Sequence, residues 1–404
     1  MTSMTHDGPQ ITGGVDTHGL THHAAVIDPI GRHLADREFP ATIRGYRDLL
    51  DWMRTHGTLV AVGVEGTGAY GAELARVLTA AGVTVADVDR PDRKTRRMKG
   101  KSDPIDAYAA ATAVLSGRAT GIPKSRDGVV EAVRVLRIAR RSAVKARTQA
   151  MNQIRGLLEQ HWPGPRNLFC SLVSDIALNF LTDYPTPQAA ARLGEARMAA
   201  FCKRHAYRGG KPASALLARL RSAPVAPVSL PTPVLTALIT AQVQLLRSLQ
   251  ATITQLETTI KKCLARHPRA VLLARLPGVG TINLAQLLAE VGPILDRVES
   301  AEQAAAECGA APVTKASGKA HGVYFRWAAN TRARKAVTAF AHNSRMQSPW
   351  AAALYANARA RGKRNPHATR IVARAWLRVI WACWHNATPY DPDNHPATQR
   401  LKAS

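Results

Sequence analysis

The segment from Lys99 to Asp106, KGKSDPID, places two carboxylates three residues apart. On the first turn of a helix this spacing puts Asp103 and Asp106 on one face, where their negative charges repel each other unless a cation lies nearby. Carboxylate oxygens are the ligands that divalent metals such as Mg²⁺ prefer. The same letters also fit an ordinary helix start, with Asp103 as the cap, Pro104 in the first turn and Asp106 favourable to the helix dipole.

Two further carboxylates lie upstream, each near the end of a predicted strand. Asp16 is still within its apolar strand, where an unpaired carboxylate is costly, and Glu65 is the last residue of the apolar run LVAVGVE. Gly13, Gly14 and Gly19 flank Asp16 and would allow a backbone or a substrate to come close. Four carboxylates can hold two Mg²⁺ ions ~4 Å apart, an arrangement that stabilises the attacking and leaving oxygens of a phosphoryl transfer.

The elements that must position these residues follow from hydrophobic periodicity. Residues 11–39 predict a hairpin followed by a third strand, and residues 43–56 predict a helix. A strand over 59–65, a helix over 72–81 and a strand over 83–88 follow, before the carboxylate pair opens the next helix. The order β-β-β-α-β-α-β-α predicts an α/β sheet domain that begins with a hairpin.

Composition bounds the partners of the protein. The chain has 404 residues and a formal net charge of +27, which indicates a polyanionic partner, most simply nucleic acid. No apolar run approaches ~18 residues, so no bilayer span is predicted. Five scattered cysteines and a polar N-terminus without a signal-peptide pattern predict a cytoplasmic protein. The cations placed to hold a phosphate backbone beside the carboxylates are Arg93, Lys94, Arg96, Arg97, Lys99 and Lys101.

The middle of the chain is predicted to be helical. Residues 129–160 form a long basic helix, and a Pro-rich linker spans 224–233. From Leu235 to Ile260 apolar residues recur at alternating steps of four and three, with Gln242 as the single polar member, which predicts a coiled coil. This apolar seam could pack against the 129–160 helix of its own chain or against a second subunit. The turn LPGVG at 276–280 predicts a helix-hairpin-helix that contacts DNA phosphate, or a plain helix–helix turn.

A second candidate active site lies at Ser317, in a predicted mobile basic loop between Lys315 and Lys319. Neighbouring cations lower the pKa of a hydroxyl and can hold a scissile phosphate beside it, with Arg326 close by in sequence. On composition alone, Ser317 is also an ordinary loop serine.

Three phrases, VDTH, VEGTGAYG and KSDPIDA, are specific in combination. With the C-terminal half, they resemble the DEDD transposases of a bacterial insertion-sequence family over roughly residues 11–390. The resemblance implies an α/β RuvC-like (RNase H-type) domain, a helical coiled-coil region and a mainly helical transposase domain that carries a catalytic serine. The corresponding boundaries here are 1–128, 129–266 and 267–404.

The resemblance also implies the chemistry. Asp16, Glu65, Asp103 and Asp106 would form the DEDD metal set for two Mg²⁺ ions, and Ser317 would be the nucleophile that forms a phosphoserine intermediate. Double-stranded DNA would be the substrate, and a structured bridge RNA would be the guide. The protein would be a dimer, or a tetramer in the synaptic complex. It would be located in the cytoplasm, at the bacterial nucleoid. Two alternatives remain: a metal-dependent junction nuclease with a structural Ser317, and a non-catalytic nucleic-acid-binding protein.

Overall fold

The computed structural model describes residues 8–88, 102–119, 121–123, 128–224, 230–318, 320–393, 396 and 399. The chain divides into two compact units, residues 1–128 and 129–404. The predicted basic run of Arg93, Lys94, Arg96, Arg97, Lys99 and Lys101 lies outside the described residues, as does Lys319.

The first unit is built on a five-stranded mixed sheet. Its strands are β1 (Gln10–Thr17), β2 (Thr21–Ile27), β3 (His33–Pro40), β4 (Thr58–Glu65) and β5 (Thr84–Val88), in the order β3-β2-β1-β4-β5. The first three strands form an antiparallel meander, while β1, β4 and β5 run parallel. The predicted order of elements is confirmed.

Helices cover both faces of this sheet. Helices α1 (Ile43–Arg54) and α2 (Ala72–Ala80) pack on one face, over a core that includes Val15, Met53 and Val62. Helix α3 (Asp103–Leu115) packs on the other face, with Ala107, Ala110 and Ala111 buried. Its N-terminal residue is Asp103, and Ser102 occupies the cap position, so Asp103 is not the cap itself.

The second unit is mainly helical. Its elements are α4 (Gly128–His161), a 3₁₀ turn (Gly164–Asn167), α5 (Asp175–Asp183), α6 (Pro187–Ala190), α7 (Glu195–Arg204), α8 (Ala213–Arg221), α9 (Thr232–Ala265), α10 (Pro268–Leu273), α11 (Thr281–Gln286), a π-helical turn (Leu287–Val291), α12 (Gly292–Leu295), α13 (Ala301–Glu307), β6 (Val313–Ser317), β7 (Ala320–Tyr324), α14 (Thr331–Ser344), α15 (Pro349–Ala360) and α16 (Asn365–His385).

The two longest helices, α4 and α9, connect two hydrophobic cores. Ile154 of α4 shares one core with Leu246 of α9, whereas Val133 of α4 shares the other core with Ile260 of α9. The two helices therefore run antiparallel. The predicted seam of α9 packs within its own chain along much of its length, which was one of the two alternatives. The described residues contain no helix that is both long and apolar enough to cross a membrane.

The prediction of a loop around Ser317 is wrong. Residues 313–324 form an antiparallel hairpin, in which Ser317 ends β6 and pairs with Ala320 at the start of β7. Gly318 has a φ of +54°, a conformation that glycine adopts without strain, and it begins the tight turn. Strand β6 is almost wholly exposed and shows no alternating burial, so the sequence offers only the glycine of the turn as a signal for the hairpin.

Candidate active site

The first candidate site lies at one end of the sheet, where three elements bring acidic residues together. In the parallel register Val15 of β1 lies opposite Val64 of β4, so Asp16 and Glu65 follow as neighbours on adjacent strands. Helix α3 lies on the sheet face of Gly14 and Gly63, and both Asp103 and Asp106 are in its first turn. Residues far apart in sequence thus share one edge because parallel strands end on the same side.

Two strand glycines let α3 approach the sheet closely. A Cβ atom at Gly14 would lie 2.1 Å from the carbonyl oxygen of Ala107. A Cβ atom at Gly63 would lie 2.6 Å from the carbonyl oxygen of Ala110. Gly14 and Gly63 are paired across β1 and β4, so one glycine pair forms the floor on which the helix rests. The sequence prediction that Gly14 permits a close backbone approach is confirmed.

Asp16, His18 and Asp103 form the tightest group at this edge. The Nε2 atom of His18 lies 3.1 Å from an Asp16 carboxylate oxygen and 3.3 Å from an Asp103 carboxylate oxygen. One potential ligand atom from each of the three residues lies within 4.8 Å of the other two, so one metal ion could contact all three. Sequence analysis left His18 out of the ligand set. The sequence signal for His18 was its position two residues after Asp16, directly after the end of β1.

The electrostatics of Asp16 favour a cation at this place. Asp16 is only 6% exposed, and burial raises the pKa of its carboxyl group. His18 lowers this pKa, whereas the charges of Asp106 and Asp103 raise it further. Asp106 is itself buried. A raised pKa means that the ionised carboxylate has too little positive charge around it, and a divalent cation would supply that charge.

Glu65 is the neighbour of Asp16 on the adjacent strand, and a glycine-rich turn begins directly after it. Its backbone carbonyl accepts a hydrogen bond of 2.7 Å from the Thr17 hydroxyl, which ties the ends of β1 and β4 together. The turn continues through Gly66, with a φ of +71°, and the Thr67 hydroxyl donates to the carboxylate of Asp87 on β5. The donor set of carboxylates and one imidazole fits a divalent metal, and the oxygen-rich part of it suits Mg²⁺.

A polar network lies next to the acidic group on the same sheet face. His23 pairs with Asp16 across β1 and β2, and its Nε2 atom lies 2.7 Å from a carboxylate oxygen of Asp36. The Tyr108 hydroxyl, on α3, donates to the other oxygen of Asp36 at 3.2 Å. Burial and the charge of Asp36 raise the pKa of Tyr108 to about 12, so Tyr108 remains a donor at neutral pH. These contacts hold the N-terminal half of α3 against β2 and β3.

The second candidate site is the tip of the β6–β7 hairpin. Ser317 and Lys315 are both exposed there, and the Lys315 ammonium lies 5.4 Å from the centre of the Tyr324 ring. A guanidinium nitrogen of Arg326 donates to the carbonyl of Pro312 at 3.3 Å, which anchors the base of the hairpin. An exposed serine at the end of a hairpin strand, on the same strand as an exposed lysine, is sterically accessible to a phosphodiester.

Two family models of known proteins match separate segments of the chain. A family model of DEDD transposases of the IS110 type, described as "Transposase", matches residues 13–163. A model described as the transposase IS116/IS110/IS902 family matches residues 270–356. The first match contains Asp16, Glu65, Asp103 and Asp106, and the second contains Ser317.

Full-length relatives come from insertion elements. The chain is 28% identical over 405 residues to the predicted transposase of the IS117 mini-circle of Streptomyces coelicolor, with 96% of this chain and 97% of that protein covered. It is 27% identical to the 43.6 kDa protein of insertion element IS110 from the same organism, with 96% and 97% covered. It is 26% identical to the 42 kDa protein of IS900 from Mycobacterium paratuberculosis, with 97% and 99% covered.

A sheet domain with an edge of acidic residues, joined to a helical domain with an exposed serine, and matched in both parts by transposase models, defines a transposase of an insertion element. The chain belongs to the IS116/IS110/IS902 family of transposases.

Proposed function

We propose that this transposase cuts and exchanges DNA strands with two sets of residues, a metal-binding acidic set in a RuvC-like first domain and a serine nucleophile in the last domain. The grouping of Asp16, His18 and Asp103 around one point, within the segment matched by the DEDD model, carries the proposal. The domain boundaries 1–128, 129–266 and 267–404 are part of it. DNA is the substrate, as the family name and the charge of +27 both indicate.

In the proposed reaction, the Ser317 hydroxyl attacks the phosphorus of a phosphodiester. An Oγ–P bond forms, the bond from phosphorus to the leaving sugar oxygen breaks, and the serine proton is transferred as the sugar hydroxyl is released. The phosphoserine ester keeps the energy of the broken bond, so a second sugar hydroxyl can attack it and rejoin a strand. Lys315 and Lys319 are proposed to hold the charge of the scissile phosphate, and Arg326 that of a neighbouring phosphate.

Asp16, Glu65, Asp103 and Asp106 are proposed to hold one or two Mg²⁺ ions. When bound, the metal supplies charge stabilisation for the attacking and leaving oxygens. The chain's own contribution is to fix the carboxylates: α3 lies on Gly14 and Gly63, and burial keeps Asp16 in one position. We also propose that a structured bridge RNA and a second subunit take part, which rests on the family resemblance.

The decisive experiment compares Ser317→Ala with Thr314→Ala in the full-length protein. Both substitutions remove an exposed hydroxyl from strand β6, three residues apart, so they perturb the hairpin alike. With the element's DNA ends, target DNA and RNA present, the wild-type protein should form a protein–DNA adduct that survives denaturation. Ser317→Ala should form none and should retain DNA binding, whereas Thr314→Ala should form it.

The metal-only nuclease is the competing function. In that case Ser317→Ala would still cut DNA in the presence of Mg²⁺, and no adduct would be found with any variant. Asp16→Asn abolishes cutting under both functions, so it tests the metal site and not the serine.

A further inference from the structure

A cavity of about 520 Å³ lies under the base of the β6–β7 hairpin, within the second unit. Its walls come from the segment 309–312, from the end of β7 and from helices α15 and α16. Apolar and aromatic groups form much of its surface, among them Val323, Phe325, Leu354 and Ile371. Its volume lies within the range of roughly 300–1,000 Å³ that is usual for small-molecule sites. We call this cavity the arginine pocket because of the residues described next.

Two arginines lie against one aromatic ring at this cavity, and a third arginine follows that ring in sequence. The guanidinium carbons of Arg334 and Arg370 each lie 4.6 Å from the centre of the Phe325 ring, and Arg326 follows Phe325 directly. Arg326 and Arg370 line the cavity. Arg334 is held by the backbone: it donates to the carbonyl of Arg326 at 2.6 Å, and a Cβ atom at Gly309 would lie 2.4 Å from its Nε.

The charge of these three arginines is not balanced by acid. Within the described part of the chain, Arg326, Arg334 and Arg370 form no ion pair with a carboxylate, and the buried Nε atoms of Arg326 and Arg334 have no acceptor. Arg374 and Arg378 also line the cavity, but both are paired with Glu302 at 2.6 Å. Burial, with the nearby charge of Arg334, lowers the pKa of Arg370. A partly buried cluster of uncompensated guanidinium groups is stabilised by an anion.

We propose that the arginine pocket binds one unstacked nucleotide of single-stranded nucleic acid, with its base against the apolar wall and its phosphate on Arg326 and Arg370. An inorganic anion alone would leave the apolar wall uncovered, whereas a nucleotide joins a flat aromatic base to a phosphate. Guanidinium groups bind phosphate in a forked geometry and also stack on planar rings.

The arginine pocket lies at the opposite end of the β6–β7 hairpin from its tip. Ser317 pairs with Ala320, and Val313 pairs with Tyr324, so the pocket lies four residues, or about 13 Å, along the hairpin from Ser317. A strand held in the pocket would therefore need only a few nucleotides to reach Ser317. This last step rests on the proposed function, whereas nucleotide binding by the pocket does not.

The test measures binding of a short single-stranded oligonucleotide with 2-aminopurine at one position. All variants are made in the full-length Ser317→Ala protein, so that no cleavage takes place. Arg370→Ala should weaken binding by roughly 10- to 100-fold, because a charge-assisted contact is lost. It should also lower the slope of log affinity against log salt by about 0.7, the value for one phosphate contact on a single strand.

A second variant fills the space for the base. Ala375, on α16, lines the pocket and carries no charge, so Ala375→Phe should weaken binding by roughly 5- to 150-fold without changing the salt slope. Arg370→Lys keeps the charge but loses the forked contact, so it should fall between the wild type and Arg370→Ala. The thermal midpoint of each variant shows whether it is folded.

Arg361→Ala is the matched control, since Arg361 is an exposed arginine that does not line the cavity. It should change the affinity by less than about two-fold. The proposal is overturned if Arg370→Ala behaves like Arg361→Ala, or if folded Ala375→Phe binds as tightly as the wild type. It is also overturned if inorganic phosphate binding depends on Arg370 while oligonucleotide binding does not.

DNA and RNA oligonucleotides of the same sequence identify the source of the nucleotide, and pocket-dependent binding of either one supports the proposal. Failure of the proposed function is seen separately, as the absence of a Ser317 adduct. Such a result leaves these binding measurements unaffected.

Discussion

Gly14 and Ala107 lie in backbone contact: a Cβ atom at position 14 would lie 2.1 Å from the carbonyl oxygen of Ala107 and 2.3 Å from the backbone nitrogen of Ala111. Both neighbours are main-chain atoms of α3, so no side chain can turn away to make room. The strand residue that precedes Asp16 by two positions thus fixes the height of the helix that carries Asp103 and Asp106.

Gly14→Ala should therefore disrupt the acidic site without removing any acidic residue. The added methyl group pushes α3 from the sheet, which should cost about 1–3 kcal/mol in the free energy of unfolding. It should also abolish the rise in thermal midpoint that we expect Mg²⁺ or Mn²⁺ to give the wild type, for which metal at a hundred times its Kd would add about 2.7 kcal/mol to the free energy of unfolding.

Gly8→Ala is the control for that substitution, because its Cβ atom would meet only Gly57, at an ordinary 3.8 Å. It should keep the metal response. An equal metal response in the Gly14→Ala protein would mean that the height of α3 does not matter for the site.

The pH dependence of the free energy of unfolding should show that the ionised carboxylate of Asp16 is unfavourable in the folded protein. The pKa of Asp16 is raised in the folded protein, so its contribution to stability is fully present below the pKa of the unfolded chain and is lost as pH rises through the folded pKa. Without metal, Asp16→Asn should stabilise the protein at neutral pH and have little effect in acid. Denaturant unfolding at several pH values, with a chelator present, measures this difference.

Metal should reverse the trend, since the metal binds the ionised carboxylate. The stabilisation by added Mg²⁺ should grow as pH rises, and Asp16→Asn should abolish it. If Asp16→Asn destabilises the metal-free protein at neutral pH, the charge of Asp16 is already balanced, by His18 for example, and the cation requirement argued above is wrong.

The local elements of the first unit could be predicted because their signals are local. The strand predicted over 59–65 and the helix predicted over 72–81 lie within one residue of β4 and α2. The spacing of Asp103 and Asp106 likewise indicated their shared placement in the first turn of α3.

The remaining features depend on tertiary contacts that a single sequence does not reveal. His18 joins Asp16 and Asp103 only because α3 rests on Gly14. The arginine pocket needs Arg334 and Arg370 to meet at the Phe325 ring, although 36 positions separate them in sequence. The β6–β7 hairpin is short and carries lysines, so its composition resembles that of a loop.

A buried ion pair in the second unit should matter more for stability than a similar exposed one. Glu290 is 3% exposed in the π-helical turn, and its carboxylate lies 3.4 Å from a guanidinium nitrogen of Arg137 on α4. Glu290→Ala leaves the Arg137 charge buried without this partner and should cost about 3–5 kcal/mol in the free energy of unfolding.

The matched control is Glu257→Ala, which removes the partner of Arg140 one helical turn further along α4. Glu257 is 40% exposed at its side chain, so its loss should cost about 0–1 kcal/mol. Urea unfolding measures both values. Similar losses for the two variants would show that the Arg137 site is hydrated and that its ion pair is no stronger than a surface pair.

The assembly state should depend on the outer face of α9 and not on its buried seam. Leu246 is fully buried within its own chain, so a charge there should unfold the second unit at any oligomeric state. Val234, Leu238 and Leu245 lie 46%, 38% and 45% exposed at helical spacing, and they are the residues that a second subunit could cover.

Leu238→Glu combined with Leu245→Glu should therefore convert a dimer to a folded monomer, because two charges would be buried in the interface without partners. Sedimentation velocity measures the mass, and circular dichroism confirms the helical content. Leu246→Glu serves as the contrast and should lose helical content before any change of mass is seen. If the double variant remains a dimer with native helicity, α9 does not form the interface, and its apolar residues serve only the packing against α4 and the helices around it.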